Sequence, residues 1–442
     1  MNRWIVAILV LLAFIVLVSP GIIGRMAERN IEQNIDWADD QNPAVTVETE
    51  KFDRGWFTSE GRHRVVFSGG TLRDASDVYA AFNSHPDLPS LIIDTRIDHG
   101  LLPVTSLARD SGSLAPGLAN TISTFQLDPG NGELTPLPGT LYSRVGVSGA
   151  TDSRFLLETG SFSNESLHAE WQGADLNFVT NPATGALSID GETEPFSIEQ
   201  DGDKMSVGEM SVDLHQESSD YDINVGTLDL QIGPVTVESA EAPFSIGGMS
   251  LTGDTDIDDG RMSGSSVFEL QAMSVPGFGD MDMNFDVTIE GLDAKSLGVI
   301  ATALQEAQAA PDPDIAMQNM LPAVAGDFEA LARAGGAIRF DRFDFTLPQG
   351  TVEMKLDLDF PEVDDDREFS WSTVLIGMTA AFDMRMPSEL YEFAQMMNPE
   401  AGSLVAMGIL KKDGDFYVMD AEYAQGLLNV NGAPMPVPMP GL

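Results

Sequence analysis

The chain has 442 residues, with 69 Asp plus Glu against 23 Lys plus Arg and a formal charge of -46 at pH 7. That balance argues against a general affinity for nucleic acid or for anionic lipid surfaces, since both need basic patches. It fits a protein bathed in high salt, where screening makes self-repulsion tolerable, and the absence of cysteine excludes disulfides, thiol catalysis and thiolate metal sites.

Residues Trp4 to Gly24 carry no charge and are bounded by Arg3 and Arg25. As a helix they reach roughly 30 Å, enough to cross a bilayer core, so a transmembrane helix is expected over 4–24. Ser19-Pro20-Gly21 runs on into Ile22-Ile23 without the small-x-small pattern of a cleavage site, which makes the span an anchor rather than a cleaved signal peptide. Basic residues on its two sides are nearly balanced. The short 1–3 tail and the strand-rich body beyond the span favour a signal anchor in a bacterial inner membrane, with 1–3 in the cytoplasm and the body in the periplasm.

Residues 25–42 continue as a helical stalk, with Met26, Ala27, Ile31 and Ile35 at helical spacing. A body follows over 43–433. Ala44 to Phe52 and Trp56 to Phe67 read as a β-hairpin turning at Asp53-Arg54-Gly55. A third strand, Leu91 to Asp98, leads into the turn His99-Gly100-Leu101-Leu102-Pro103 and a short apolar run, Val104 to Leu107.

Four stretches in this order resemble the YdgA-like family of bacterial envelope proteins. They are Phe52-Asp53-Arg54-Gly55-Trp56-Phe57-Thr58-Ser59, Ile97-Asp98-His99-Gly100 with Pro103, Leu141-Tyr142-Ser143-Arg144-Val145-Gly146-Val147-Ser148-Gly149, and Gly426-Leu427-Leu428-Asn429-Val430-Asn431-Gly432. In that family Pro follows His-Gly directly, whereas here Leu101-Leu102 intervenes. Arg54, Gly55, Ser59, His99, Gly100 and Pro103 carry the motif. The resemblance implies an inner-membrane anchor and a periplasmic body, and no activity.

From Thr140 to Glu290 strands alternate with Gly, Asp and Asn turns. Met281, Met283, Phe285, Val287 and Ile289 alternate strictly with Asp282, Asn284, Asp286, Thr288 and Glu290, so one face is apolar and the other wet. Apolar phase changes around Gly208 and Gly226 predict β-bulges that bend a long antiparallel sheet. Helices are expected at Ala294 to Ala309 and Ile315 to Ala334, packing across one sheet face. Strands resume at Ala337 to Leu347, Thr351 to Phe360 and Trp371 to Met384. A helix at Ser388 to Met397 and a hairpin of Phe416 to Ala424 with Gly426 to Asn431 close the body, and 434–442 is a frayed tail. The fold class is mainly β with a few helices: an N-terminal transmembrane helix followed by a long, bent antiparallel β-sheet body.

Chemistry-bearing motifs are scarce. The five histidines, His63, His85, His99, His168 and His215, include no pair at metal-ligand spacing, and His99 reads as a turn residue. Asp254, Asp256, Asp258 and Asp259 miss the Gly and Glu positions of a calcium loop and read as an acidic hairpin turn. Asp364-Asp365-Asp366 reads as a loop. Nucleophile elbows, Ser-x-x-Lys pairs and Walker loops are missing. Catalytic, metal and cofactor residues are therefore expected to be none, and the chain is not expected to be an enzyme. Its 21 Met suit irregular apolar surfaces.

Two functions fit. One is a tethered sheet whose apolar face, including Met281, Met283, Phe285, Val287 and Ile289, binds or conducts lipid acyl chains. The other is a structural or protein-interaction component of the envelope. Expected partners are the inner membrane through 4–24 and lipid or envelope proteins, with no nucleic acid.

Overall fold

The computed structural model describes residues 45–67, 90–99, 118–128, 134–163, 167–200, 202–239, 243–275, 279–310, 313–363, 369–397 and 401–435. The expected anchor, the stalk, the run Val104 to Leu107, the loop Asp364 to Asp366 and the end of the tail lie outside these residues. Among them no helix is long and apolar enough to cross a membrane. The protein is mainly antiparallel β-sheet with few helices, and it divides into two compact units.

The first unit is a meander in which each strand pairs with the next: Val45–Arg54, Thr58–Phe67, Ser90–His99, Ala119–Asp128, Thr135–Val145, Thr151–Leu157, Ala174–Asn181 and Ala186–Thr193. Its best-buried cluster is Ile97, Leu118, Ala119 and Val145, with Phe52 packed against them. Hydroxyls inside the unit satisfy one another across strands, Thr95 with Ser123 at 2.8 Å and Ser153 with Ser143 at 2.7 Å. Arg62 makes a two-pronged pair with Asp94 at 2.7 and 2.9 Å, and Arg64 reaches Glu50 at 2.6 Å and Asp128 at 2.7 Å.

His63 is buried in this unit, its Nδ1 lying 3.1 Å from Thr49 Oγ1. Burial lowers its pKa, because desolvation disfavours the charged ring. The unfolded chain therefore takes up a proton near pH 6.5 that the folded one refuses. The stability contributed by the neutral ring is complete above that pH and is lost as pH falls through it. In His63→Gln the urea midpoint should consequently change less between pH 7 and pH 5 than in the native chain, and equal slopes would count against the buried neutral ring.

The second unit carries the longer sheet. Nine strands lie side by side, all antiparallel: Met210–Ser218, Asn224–Ile232, Gly248–Asp258, Arg261–Val275, Gly279–Asp293, Gly336–Leu347, Gly350–Phe360, Thr379–Pro387 and Phe416–Ala424. The last strand is flanked on its far edge by Lys411–Asp413 and Leu427–Val430. Ala433–Met435 adds to the latter, so the expected frayed tail starts as a paired strand. The turns here are tight Xaa-Gly pairs with both residues at positive φ, Asp259-Gly260, Gln425-Gly426 and Asn431-Gly432, which suit two-residue hairpin loops. Of the expected acidic hairpin turn at Asp254 to Asp259 only Asp259 is in the turn; Asp254, Asp256 and Asp258 are paired residues of the strand before it.

A crease crosses this sheet. The strands continue through Gly208-Glu209, Gly233-Pro234 and Gly247 into Asp203–Val207, Val235–Glu238 and Phe244–Ile246, and the pairing runs on from Asp203–Val207 through Phe196–Gln200 and Leu167–Trp171 to Gly160–Ser163. On each side of the crease the apolar residues are three apart: Val207 and Met210, Ile232 and Val235, Ile246 and Met249, Leu270 and Met273. In an unbroken strand an interval of three reverses the face, and one extra residue restores it. Cross-strand backbone bonds close the gap, Gly208 N–H to Pro234 O at 2.7 Å, Gly233 N–H to Glu209 O at 2.7 Å and Gly247 N–H to Gln271 O at 2.7 Å. At the fourth strand the break becomes a bulge between Leu270 and Met273, opposite only Met283 and Met281, and Asp282 Oδ1 accepts the Ala272 N–H at 2.6 Å.

The interruption expected at Gly208 is present, between Asp203–Val207 and Met210–Ser218. The one expected at Gly226 is not: Gly226 sits in unbroken register between Gln216 and Thr255, and its strand breaks instead at Gly233-Pro234. Tyr221 and Ile223 belong to the preceding turn and the strand begins only at Asn224, so within the strand the phase change rests on Val225 alone, which lies on the opposite face from Leu228.

The helix Ala294–Ala309 forms as expected. Asp293 caps it, Oδ2 accepting the Ser296 N–H at 2.8 Å, and Gly298 lets it lie close to the turn at Tyr221, whose carbonyl oxygen would be 1.9 Å from an added Cβ. The second expected helix is two, Pro313–Ala323 and Ala325–Ala334; Pro322 has no N–H to continue the ladder. Trp371 to Met384, expected as one strand, is a helix over Trp371–Gly377 followed by a strand over Thr379–Pro387. Trp371, Val374 and Leu375 lie at helical spacing, and Val374 is buried. Their β-favouring side chains mask that period. Ser388–Met397 is a helix as expected.

Candidate functional site

Met281, Met283, Phe285, Val287 and Ile289 share one face of the strand Gly279–Asp293 and are all half-buried. Register extends that face into neighbouring strands. Directly opposite one another stand Val212, Leu230, Leu251, Phe268, Phe285, Phe343, Met354, Met384 and Met419. This row crosses nine strands without a polar residue. At about 4.8 Å per strand it is about 38 Å long. A second row runs beside it through Met210, Ile232, Met249, Leu270, Met283, Phe345 and Val352.

Every side chain of these two rows is half-buried and none is buried. Helices do reach this face at one end: beside Met419, Tyr423 O–H donates to Leu375 O of Trp371–Gly377 at 2.8 Å and Tyr417 stacks on Tyr391 of Ser388–Met397 at 4.0 Å, while the two rows themselves keep partial solvent exposure. The centre is aromatic: the Phe285 ring meets Phe340 at 5.4 Å and Phe343 edge-on at 5.7 Å. The ends are rich in methionine, a flexible lining that adapts to varied apolar shapes. The reverse face is acidic and exposed toward the outer strands, with Asp213 directly opposite Asp229 and Asp383 opposite Asp420, whereas in the central strand Asp282, Asn284, Asp286 and Thr288 are as half-buried as the apolar side.

The motif residues assemble elsewhere, in the first unit. Gly55 closes the hairpin turn, its N–H donating to Thr58 O at 2.9 Å, and His99 N–H donates to Phe57 O at 2.9 Å. Ser59 Oγ lies 3.1 Å from His99 Nε2. A serine and a histidine at that distance are the beginning of a nucleophilic pair, but each is 2% exposed and out of a substrate's reach. They tie the hairpin to the third strand. Arg54 is exposed at the tip, and Gly100 and Pro103 lie outside the described residues. Among the described residues no three acidic or imidazole groups converge as a metal site.

Residues 1–438 match the family described as a bacterial protein of unknown function, DUF945. The chain belongs to that family. No curated protein and no solved structure matches it. Family membership carries no reaction with it, so the function of this DUF945 chain has to be argued from its surfaces. The periodicity of one strand was enough to place Phe285 on an apolar face, whereas the rows across nine strands depend on pairing, which single-strand periodicity does not contain.

Proposed function

We propose that the protein is a non-enzymatic component of the bacterial envelope, anchored in the inner membrane through 4–24, whose apolar sheet face in the second unit binds lipid acyl chains in the periplasm. The YdgA-like resemblance of the hairpin and closing motifs is the finer family label that goes with this reading. The observation that carries it is the nine-residue row from Val212 to Met419, apolar throughout and nowhere buried. A contiguous apolar surface of this extent on a soluble body marks an interaction site. Its length exceeds the roughly 15 Å depth of one leaflet's acyl region, which suits passage of a chain along the face as well as its capture.

The test is mass spectrometry of lipids that stay with the full-length protein through mild detergent extraction and gel filtration, followed by titration with a fluorescent fatty acid. Co-purified phospholipid that the probe displaces is the expected result. A lipid-free protein that ignores the probe would overturn the reading and leave an envelope protein partner as the occupant of the face.

A further inference from the structure

The hairpin between Val45–Arg54 and Thr58–Phe67 ends in two adjacent exposed aromatics, Trp56 at 56% and Phe57 at 43% exposure. Their presentation is rigid. Gly55 is locked by its bond to Thr58, where an added Cβ would lie 2.4 Å from the carbonyl oxygen, and the Phe57 carbonyl is held by His99. The local charge differs from that of the whole chain. Lys51 pairs with Asp53, and from Lys51 to Glu60 two basic residues balance two acidic ones, which leaves the tip neutral with Arg54 nearest the rings. An indole and a phenyl ring beside an arginine, on an otherwise strongly acidic protein, match the headgroup boundary of a bilayer, where amphipathic rings concentrate.

We propose that this tip inserts Trp56 and Phe57 into the headgroup and upper acyl region of the membrane that holds the anchor, giving the first unit a second point of attachment. The inference is independent of the apolar face in the second unit and rests on the reading of 4–24 as a span. Chain length agrees with it. As the helical stalk the sequence predicts, residues 25–42 would span about 27 Å, and the strand Val45–Arg54 is about 30 Å long. A strand that doubles back along the stalk returns its tip to the membrane surface.

The natural chain has no cysteine, so Trp56→Cys, Phe57→Cys and the exposed wet-face control Thr227→Cys each provide one site for a nitroxide. The full-length chain is reconstituted in phosphatidylethanolamine–phosphatidylglycerol vesicles, and relaxation by oxygen is compared with relaxation by a water-soluble nickel chelate. Oxygen should dominate at 56 and 57, with a collision ratio several-fold above that at 227. Ratios at both tip positions equal to that at 227, in a chain that stays with the vesicles through alkaline carbonate, would overturn the tip contact alone. A chain stripped from the vesicles by carbonate would overturn the span and the tip contact together.

Discussion

On the proposed reading of the apolar face, Phe285→Ser should weaken acyl-chain binding about tenfold while leaving the protein folded. Phe285 stands at the middle of the nine-residue row and packs on two other phenylalanines, yet it is half-buried. The substitution therefore removes two aromatic contacts and part of a buried area, about 2–3 kcal/mol of stability. In a sealed core it would cost about 3–5 kcal/mol. A ligand that covers the ring on binding loses a smaller contact, so its affinity should fall about tenfold. A urea melt of lipid-free protein and a fatty-acid titration read the two effects separately. A drop of core size in the melt, with no change in lipid binding, would show that Phe285 belongs to the packing rather than to the face that meets ligand.

The largest loss of stability is expected from Gly226→Ala. Gly226 has φ near +144°, and a Cβ there would lie 1.9 Å from the His215 carbonyl oxygen, within the backbone of the partner strand. Unfavourable backbone and clash add up, about 3 kcal/mol in total. The sheet must part at the pairing of Met210–Ser218 with Asn224–Ile232 to make room. Gly202→Ala is the matched control, with φ near +95° and nothing within 4 Å of the added Cβ, so it should cost about 1 kcal/mol. Equal urea midpoints for the two variants would mean that the backbone relaxes freely at Gly226.

Strict alternation made the strand at Met281 to Ile289 legible from its residues alone, and the helices Ala294–Ala309 and Ser388–Met397 have the bounds the sequence predicts. The role of glycine was only half legible. Gly208 and Gly226 both sit at a change of hydrophobic phase, but one opens a crease and the other makes room for a neighbouring carbonyl. Only the partner strand separates these cases. The helix at Trp371–Gly377 was hidden by Trp, Thr, Val and Ile, whose preference for strands yields when Val374 is buried. The candidate face is the clearest case of information held between strands: each residue of the row from Val212 to Met419 is ordinary in its own strand, and the continuous surface exists only through register.

That surface is also a hazard, because two molecules could stack face to face, or a partly unfolded one could recruit others. The acidic reverse side bears on this. Carboxylates set directly opposite one another, Asp213 against Asp229 and Asp383 against Asp420, weaken the sheet slightly, but they give every copy a strong charge of one sign that repels its neighbours in solution. In this way colloidal repulsion from one side of the sheet lets the other remain uncovered at high protein concentration. The carboxylates that weaken the sheet thus also oppose the stacking of one apolar face on another.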